Sequence, residues 1–280
     1  MSSAMSARTG ATTSATTTIT VRRDAALGAV LHFTLNRPEL RNAMSMTMVG
    51  ELRAALADAE RDGITRVIVL RGAGGHFCAG ADLRSMADAR AALGANPNAL
   101  VETNAAFGEL CVAFACTGLA VVAVLEGTVM GGGFGLACVA DVAIASTTVD
   151  FRLPETSLGL VPAQIGPFLV ERLGYSQAKR LAVTGARINA AQALAIALVH
   201  EVHAADALDT ALARVITDIL RCAPQAVAAT KALIAKARHV EPQALVIEAA
   251  QVFSRAALGS EGVEGTTAFL QKRPAAWVPQ

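Results

Sequence analysis

Apolar and polar positions follow two periods along the chain. Up to about residue 204, short apolar runs alternate with stretches of helical spacing, and helical spacing continues from there to the C-terminus. Apolar runs bounded by turn residues predict strands at 32–35, 66–70, 119–125, 141–145 and 149–153. Apolar residues at helical spacing predict a helix over 46–59, with Ser45 as its N-cap. The pattern therefore predicts an α/β region followed by an all-α region.

Two boundaries divide the chain. Residues 1–17 are rich in Ser, Thr and Ala and lack the apolar run of a signal peptide, so a disordered tail is predicted there. Residues 18–203 form the predicted α/β core, and 204–280 form the helical region. Helices over 205–220 and 246–258 have more apolar surface than a lone monomer needs, which favours subunit contacts.

Composition limits the class of partner. The 280 residues are 53% hydrophobic, and 24 basic and 23 acidic side chains give a net charge of +1. This balance predicts no attraction to nucleic acid, and the apolar runs are too short to span a bilayer. The five cysteines form no C-x-x-C pair and the histidines have no metal-ligand spacing, so we expect a cytoplasmic protein without a metal.

Three motifs stand at the ends of predicted strands. The first runs over 71–83 and contains Gly72-Ala73-Gly74-Gly75 and Ala79-Gly80-Ala81-Asp82; the second contains Gly131-Gly132-Gly133; the third is 151–155 followed by 158–162. Neither glycine turn completes a dinucleotide fingerprint, since Phe77 and Leu136 occupy the last glycine position. No Walker lysine follows either turn, so nucleotide binding there is not expected.

The two glycine-rich turns can present backbone N–H groups outward. A lone triple glycine is typical of a tight helix entry, but here two such turns follow two buried strands. Small residues let a substrate approach the backbone. Two convergent N–H donors form an oxyanion hole, and each donor contributes roughly 3–4 kcal/mol of transition-state stabilisation.

The order and spacing of these motifs resemble the crotonase (enoyl-CoA hydratase/isomerase) superfamily. Leu35-Asn36-Arg37-Pro38 and the 269–273 segment add to the resemblance, which extends from about residue 18 to 275. It implies a spiral of ββα turns with a C-terminal helical region. It also implies a homotrimer or hexamer, an acyl-CoA thioester substrate, and no cofactor beyond the coenzyme A of that substrate.

The resemblance assigns the reacting groups. The oxyanion donors fall on the N–H groups of Ala81 and Gly132, and one acid/base carboxylate falls on Glu155. The alternative for Glu155 is a solvated loop carboxylate. The second carboxylate of simple hydratases would fall on Gly135, where the sequence has none.

The remaining contacts with the acyl-CoA also come from the resemblance. They fall on Arg41, Ala79, Asp82, Leu83, Arg84, Gly131, Phe253, Phe269 and Lys272. The last group can reach the ligand of a neighbouring subunit in this superfamily. For the three basic residues a plain surface charge is an alternative, and Phe253 could instead belong to the core.

A single carboxylate leaves three reactions open. Glu155 could still support hydration, could move a proton between carbons 2 and 4 as an isomerase does, or could sit beside a hole that serves other enolate chemistry such as decarboxylation. A different class, a non-catalytic acyl-CoA binder, would need no proton carrier at residue 155.

Gly135 favours hydration of an unusual substrate. Glycine removes a charge and is expected to open volume beside the reacting carbons, and a substrate with its own carboxylate would be repelled by a second Glu. The 160–168 segment is also similar to bacterial hydratases of 3-substituted glutaconyl-CoA. Gln164 could hydrogen-bond such a carboxylate, or could face solvent at a helix start.

Overall fold

The computed structural model of the chain describes residues 13–15 and 18–279. Within these residues the strands are β1 Thr13–Ala15, β2 Ile19–Arg23, β3 Val30–Leu35, β4 Val67–Gly72, β5 Ala120–Leu125, β6 Thr128–Met130, β7 Val142–Ser146, β8 Asp150–Arg152, β9 Arg187–Asn189 and β10 Glu201–His203. The helices are α1 Met46–Arg61, α2 Leu83–Ala91, α3 Ala99–Cys116, α4 Gly132–Val139, α5 Gly166–Thr184, α6 Ala190–Ala195, α7 Leu208–Leu220, α8 Pro224–Ala237, α9 Pro242–Leu258 and α10 Ser260–Leu270.

The strands form two sheets that the chain visits in turn. The larger sheet has the order β1-β2-β3-β4-β5-β7-β10 and is parallel from β3 onward; the smaller has the order β6-β8-β9. After β5 the chain crosses at Glu126 and Gly127 into β6 and then enters α4. After β7 it crosses into β8 and later enters α5. This repetition of strand, strand and helix is the expected ββα spiral.

The predicted elements agree with the structure in type and differ at their ends. The helix predicted over 46–59 is α1, and the Ser45 hydroxyl accepts the Met48 N–H at 3.2 Å as its N-cap. The sequence analysis assigned neither β2 nor α3. Most of the predicted tail over 1–17 lies outside the described residues, but Thr13–Ala15 pairs antiparallel with β2 and is a strand.

The helical region after residue 204 divides into two parts. One face of α7 packs on the large sheet, where Leu208, Leu212 and Ile216 join a buried cluster with Val67 and Val122. Helix α7, the first long helix of the predicted 204–280 region, therefore packs against the core sheet. By contrast, α8 buries no side chain completely, and the buried side chain of α9 is Leu245.

Helix α3 is long and apolar enough, by length and a mean hydropathy of 1.3, to cross a bilayer. In the fold its Leu110, Cys111 and Phe114 are buried in the core. Other residues of α3, including Phe107, line the cavity described next. The apolar character of α3 is thus used in the packing of the spiral.

Candidate active site

One cavity of about 590 Å³ lies where the first and second glycine-rich turns meet. Its lining includes Ala81, Gly132 and Glu155, three residues that are distant in sequence. Most of the remaining wall is apolar, with side chains from α2, α3 and the loop before α5. A largely apolar cavity with a few convergent polar groups is the usual form of a small-molecule site.

The first glycine-rich turn, here taken as the whole first motif over 71–83, presents the N–H of Ala81. Met44 pairs with Ala81 in a short parallel bridge, in which the Met44 N–H donates to the Gly80 carbonyl and the Asp82 N–H donates to the Met44 carbonyl, both at 2.8 Å. In a parallel pair the residue between the two bonded ones points its N–H to the other side. Among the described residues, the Ala81 N–H has no protein acceptor, and Ala81 is exposed toward the cavity.

The second turn presents the N–H of Gly132. Gly132 begins α4, and the first N–H groups of a helix have no acceptor within it. The helix dipole adds a partial positive charge at this end. Gly131 has φ 48° and ψ −115°, a conformation that favours glycine and that turns the chain into the helix.

The two turns are held together by backbone hydrogen bonds. The Cys78 N–H donates to the Thr128 carbonyl at 3.0 Å, and the Met130 N–H donates to the Cys78 carbonyl at 2.9 Å. A Cβ on Gly133 would lie 2.7 Å from the Cβ of Cys78, so the turns touch without an intervening side chain. This close approach places both donors in the same cavity.

Apolar side chains cover the Gly132 donor. A Cβ on Gly132 would overlap the Met44 Cε and would lie 3.1 Å from the Phe107 Cζ. The methyl and the ring exclude water from one side of the peptide. Hydrogen bonds and charges act more strongly where water is excluded.

Glu155 stands beside the second turn. It begins a short 3₁₀ helix, Glu155–Leu158, directly after Pro154. Its Oε2 is buried and has no hydrogen-bond partner within the described residues. Burial raises the pKa of the Glu155 carboxyl above its ordinary value. A half-buried carboxyl with a free oxygen and a raised pKa can exchange a proton with a bound molecule.

Asp82 lines the same cavity, but its carboxylate is already paired. Arg37 Nη2 lies 2.8 Å from Asp82 Oδ2, and the Arg84 N–H donates to Oδ1 at 3.0 Å, which caps α2. Burial raises the pKa of Asp82, but the hydrogen bonds from Arg37 and Arg84 outweigh it, so that the pKa lies below its ordinary value. Asp82 therefore fixes the first turn and α2 relative to each other.

Two anchoring residues of the first turn were not singled out by the sequence analysis. Arg37 belongs to the Leu-Asn-Arg-Pro motif, and that motif was the available signal. Asn42 is fully buried; its Nδ2 donates to the carbonyls of Ala73 and His76 at 2.9 and 2.6 Å. No sequence pattern marked it, because its partners are brought together only by the fold.

The prediction that Gly135 opens volume beside the reacting carbons is wrong. Gly135 is buried within α4 and does not line the cavity. A Cβ there would overlap the Cγ2 of Ile165 and would lie 3.6 Å from the Phe107 Cζ. The space that a larger side chain would need is filled by Ile165, so the glycine allows α4 to pack closely against Ile165.

Gln164 lines the cavity together with a partner that the sequence did not suggest. The Gln164 Nε2 donates to the Asn104 Oδ1 at 2.8 Å, and Asn104 projects from α3. A Cβ on Gly108 would overlap the Gln164 Oε1. The absence of a side chain at Gly108 therefore makes room for the amide on the cavity wall.

The other expected substrate contacts divide between the cavity and the surface. Those that line the cavity are Ala79, Asp82, Leu83, Gly131 and Gln164. Arg84 lines a neighbouring polar groove, and Arg41 is exposed. Phe253 is 75% exposed, so its assignment to the core as an alternative is wrong. Phe253, Phe269 and Lys272 lie outside the cavity of their own chain.

Comparisons of the sequence and of the structure with known proteins agree with one another. The family model described as enoyl-CoA hydratase/isomerase matches residues 26–280. A 2,3-dehydroadipyl-CoA hydratase of Escherichia coli is 34% identical over 250 residues, covering 87% of this chain and 93% of that protein. The crystal structure of an enoyl-CoA hydratase/isomerase from Marinobacter aquaeolei has a TM-score of 0.88 and 44% identity, covering 93% and 99% of the two chains. Pseudomonas aeruginosa AtuE has a TM-score of 0.89 and 51% identity, with the same coverage.

Proposed function

The chain belongs to the enoyl-CoA hydratase/isomerase family, and from that premise we propose that it adds water to a 2-enoyl-CoA thioester. The N–H groups of Ala81 and Gly132 hold the thioester oxygen, and Glu155 carries the proton. The observation that supports this most directly is the buried, unpartnered Oε2 of Glu155, a residue that lines the same cavity as Ala81 and Gly132.

The oxyanion hole lowers the barrier to attack at carbon 3. When water adds there, negative charge moves onto the thioester oxygen as an enolate. The two N–H groups are held in place by the backbone bonds of Met44 and Cys78, so they need no reorganisation as the charge develops. Each donor contributes roughly 3–4 kcal/mol to such a transition state.

Glu155 can balance the protons of hydration by itself. The ionised carboxylate accepts a proton from the attacking water as the hydroxyl bonds to carbon 3. The carboxyl then returns that proton to carbon 2, which collapses the enolate and restores the carboxylate. A pKa above the ordinary value brings the carboxyl closer to the operating pH and suits a group that both takes and gives a proton.

Double-bond isomerisation is the second candidate. Asp82 is held by Arg37, which leaves Glu155 as the cavity carboxylate with a free oxygen among the described residues. Moving a proton from carbon 2 to carbon 4 of a 3-enoyl-CoA needs one base and an enolate hole. The same groups would then serve without an attacking water.

The size and lining of the cavity favour a substrate whose acyl group is larger than crotonyl and carries a polar group on one side. Its walls are mainly apolar, while Gln164 and Asn104 place a bonded amide pair among them. N–H groups of this pair that are not used between the two side chains can donate to a carboxylate on a branched, glutaconyl-like substrate. The similar hydratase from Escherichia coli is named for 2,3-dehydroadipyl-CoA, whose acyl group is also a dicarboxylic one.

The exposed apolar surface of α8–α10 supports a homotrimer or hexamer. Large apolar side chains are exposed on these helices, namely Ile234, Val246, Ile247, Phe253, Leu258, Val263, Phe269 and Leu270. A patch of this kind on a folded chain is typical of a subunit contact. In such an assembly Phe253, Phe269 and Lys272 would reach the ligand of a neighbouring subunit. A monomeric mass by light scattering would contradict this.

The decisive experiment compares Glu155→Gln with Glu60→Gln, a control at an exposed carboxylate on α1. Conjugated thioester absorbance is followed with crotonyl-CoA, where hydration lowers it, and with a 3-enoyl-CoA, where isomerisation raises it. We expect loss of crotonyl-CoA absorbance in the wild-type and control enzymes and none in Glu155→Gln, which still binds the thioester. Gain of absorbance alone would favour the isomerase. Binding without either change in the wild type would indicate a non-catalytic acyl-CoA binder.

A further inference from the structure

His76 lies between the two glycine-rich turns, outside the cavity. The Thr128 N–H donates to the His76 Nδ1 at 3.1 Å, and the His76 carbonyl accepts from the Asn42 Nδ2 at 2.6 Å. In this contact the Nδ1 lone pair is the acceptor of the backbone N–H. The imidazole thus joins the first turn to the start of β6.

The imidazole takes the place of a backbone carbonyl. Cys78 is bonded to Thr128 and Met130 as in a parallel ladder, and continuing that ladder would send the Thr128 N–H to the carbonyl of residue 76. That carbonyl is occupied by Asn42. Gly127, with φ 52°, interrupts the ladder at this point. Thr128 is buried, so its N–H needs an acceptor, and the ring supplies one.

The glycine before Thr128 makes room for the ring. A Cβ on Gly127 would lie 2.3 Å from the Gly75 carbonyl oxygen and 2.6 Å from the His76 Nδ1, so glycine lets both the first turn and the imidazole approach the backbone this closely. Ala81 follows His76 by five residues, and Gly132 follows Thr128 by four. The His76–Thr128 bond is therefore a side-chain link between the two segments that lead to the proposed donors.

We propose that His76 is a positioning residue of the oxyanion hole: by accepting the Thr128 N–H, it adds a side-chain bond to the backbone bonds of Cys78 and so sharpens the separation between the donors at Ala81 and Gly132. This inference rests on the proposed function of those donors. His76 does not touch the substrate; it acts through the backbone of β6. A misplacement of about 1 Å in such a site can cost about 10²-fold in rate.

Substitutions at His76 can separate the effect of losing the hydrogen-bond acceptor from the effect of changing the packing. Asparagine and leucine have nearly the same shape, and only asparagine keeps an acceptor. His76→Asn keeps an oxygen as many bonds from Cβ as Nδ1, so it can still accept the Thr128 N–H. His76→Leu has a similar volume and no acceptor. His76→Gln places its oxygen one bond farther out, and it serves if the leucine variant does not fold. We expect kcat to fall by about 10²-fold in His76→Leu with little change in KM, and His76→Asn to keep most of the wild-type kcat.

A spectroscopic measurement reports the hole directly. The variants are combined with Glu155→Gln so that bound 2,4-hexadienoyl-CoA, a conjugated thioester, is not consumed. Donors that polarise the thioester oxygen shift its absorbance to longer wavelength. We expect this shift to be retained in His76→Asn and reduced in His76→Leu and His76→Gln.

The outcomes separate this inference from the proposed function. An unchanged shift and kcat in folded His76→Leu, or in His76→Gln if leucine does not fold, would overturn the positioning role. So would equal losses in the asparagine and leucine variants, since the acceptor would then be irrelevant. Absence of any shift in the enzyme that retains His76, or full turnover by Glu155→Gln, would instead contradict the proposed oxyanion hole or the proposed base.

Discussion

The Oε1 atom of Glu155 lies 2.8 Å from the point at which a Cβ on Gly131 would stand. The carboxylate thus packs directly against the backbone that presents the Gly132 N–H. The proposed proton carrier and one proposed oxyanion donor share a boundary that admits no side chain. Catalytic geometry at this boundary therefore depends on the glycine as much as on the carboxylate.

Gly131→Ala tests this contact. The new methyl group should displace the Glu155 carboxylate, and the backbone at φ 48° and ψ −115° should resist a Cβ, at a cost of about 1–3 kcal/mol. We expect hydration to be nearly abolished and unfolding to begin at lower temperature. Gly159→Ala is the control, because Gly159 also has a positive φ, of 71°, but has no atom within 4 Å of its Cβ position. Equal losses of activity in the two variants would assign the effect to backbone strain alone.

The raised pKa of Glu155 predicts an unusual dependence of stability on pH. A carboxyl whose pKa is higher in the folded state binds more protons folded than unfolded. The free energy of unfolding therefore falls as pH rises from the ordinary value of 4.5 through the raised one. At neutral pH, Glu155→Gln should be more stable than the wild type, and the difference should shrink below pH 4.5. Urea unfolding of both proteins from below pH 4.5 to neutral pH measures this difference in the free energy of unfolding. A wild type that is more stable than Glu155→Gln at neutral pH would contradict the argument that burial raises the pKa.

The contact between Gly135 and Ile165 predicts how a second carboxylate could be introduced. Gly135→Glu alone should impair every substrate together, because the side chain overlaps Ile165. Adding Ile165→Ala removes that obstacle and should restore part of the crotonyl-CoA activity. Ile165→Ala alone is the control for the loss of packing. The double-mutant cycle in kcat/KM measures the coupling, and strict additivity would show that Ile165 does not occupy the space in solution.

The hydrogen bond between the Gln164 and Asn104 amides predicts how a charge at residue 164 would change the substrate preference. Gln164→Glu keeps the shape of the side chain and adds a charge on the cavity wall. A glutaconyl-type substrate should lose tenfold or more in kcat/KM, since about 1.4 kcal/mol of repulsion already gives that factor, while crotonyl-CoA should change little. Gln177→Glu on α5 is the control outside the cavity. If the ratio of the two specificity constants does not move, the acidic substrate is not recognised at Gln164.

The sequence by itself determined part of the elements and the order of the motifs. The helix over 46–59, the buried strands and the glycine-rich turns follow from periodicity, capping and turn chemistry, which act between neighbours in the chain. The family resemblance then marked Ala81, Gly132 and Glu155, and the structure places all three in one cavity. Local patterns carried this information because each motif is contiguous.

Only the tertiary structure decided which distant residues meet. The volume beside Gly135 depends on Ile165, thirty residues later, and the room for Gln164 depends on Gly108. The role of His76 depends on an N–H that Gly127 leaves without a ladder partner. None of these could be read from the chain, because a vacancy or a missing acceptor is a property of the neighbours that packing brings together rather than of the residue itself.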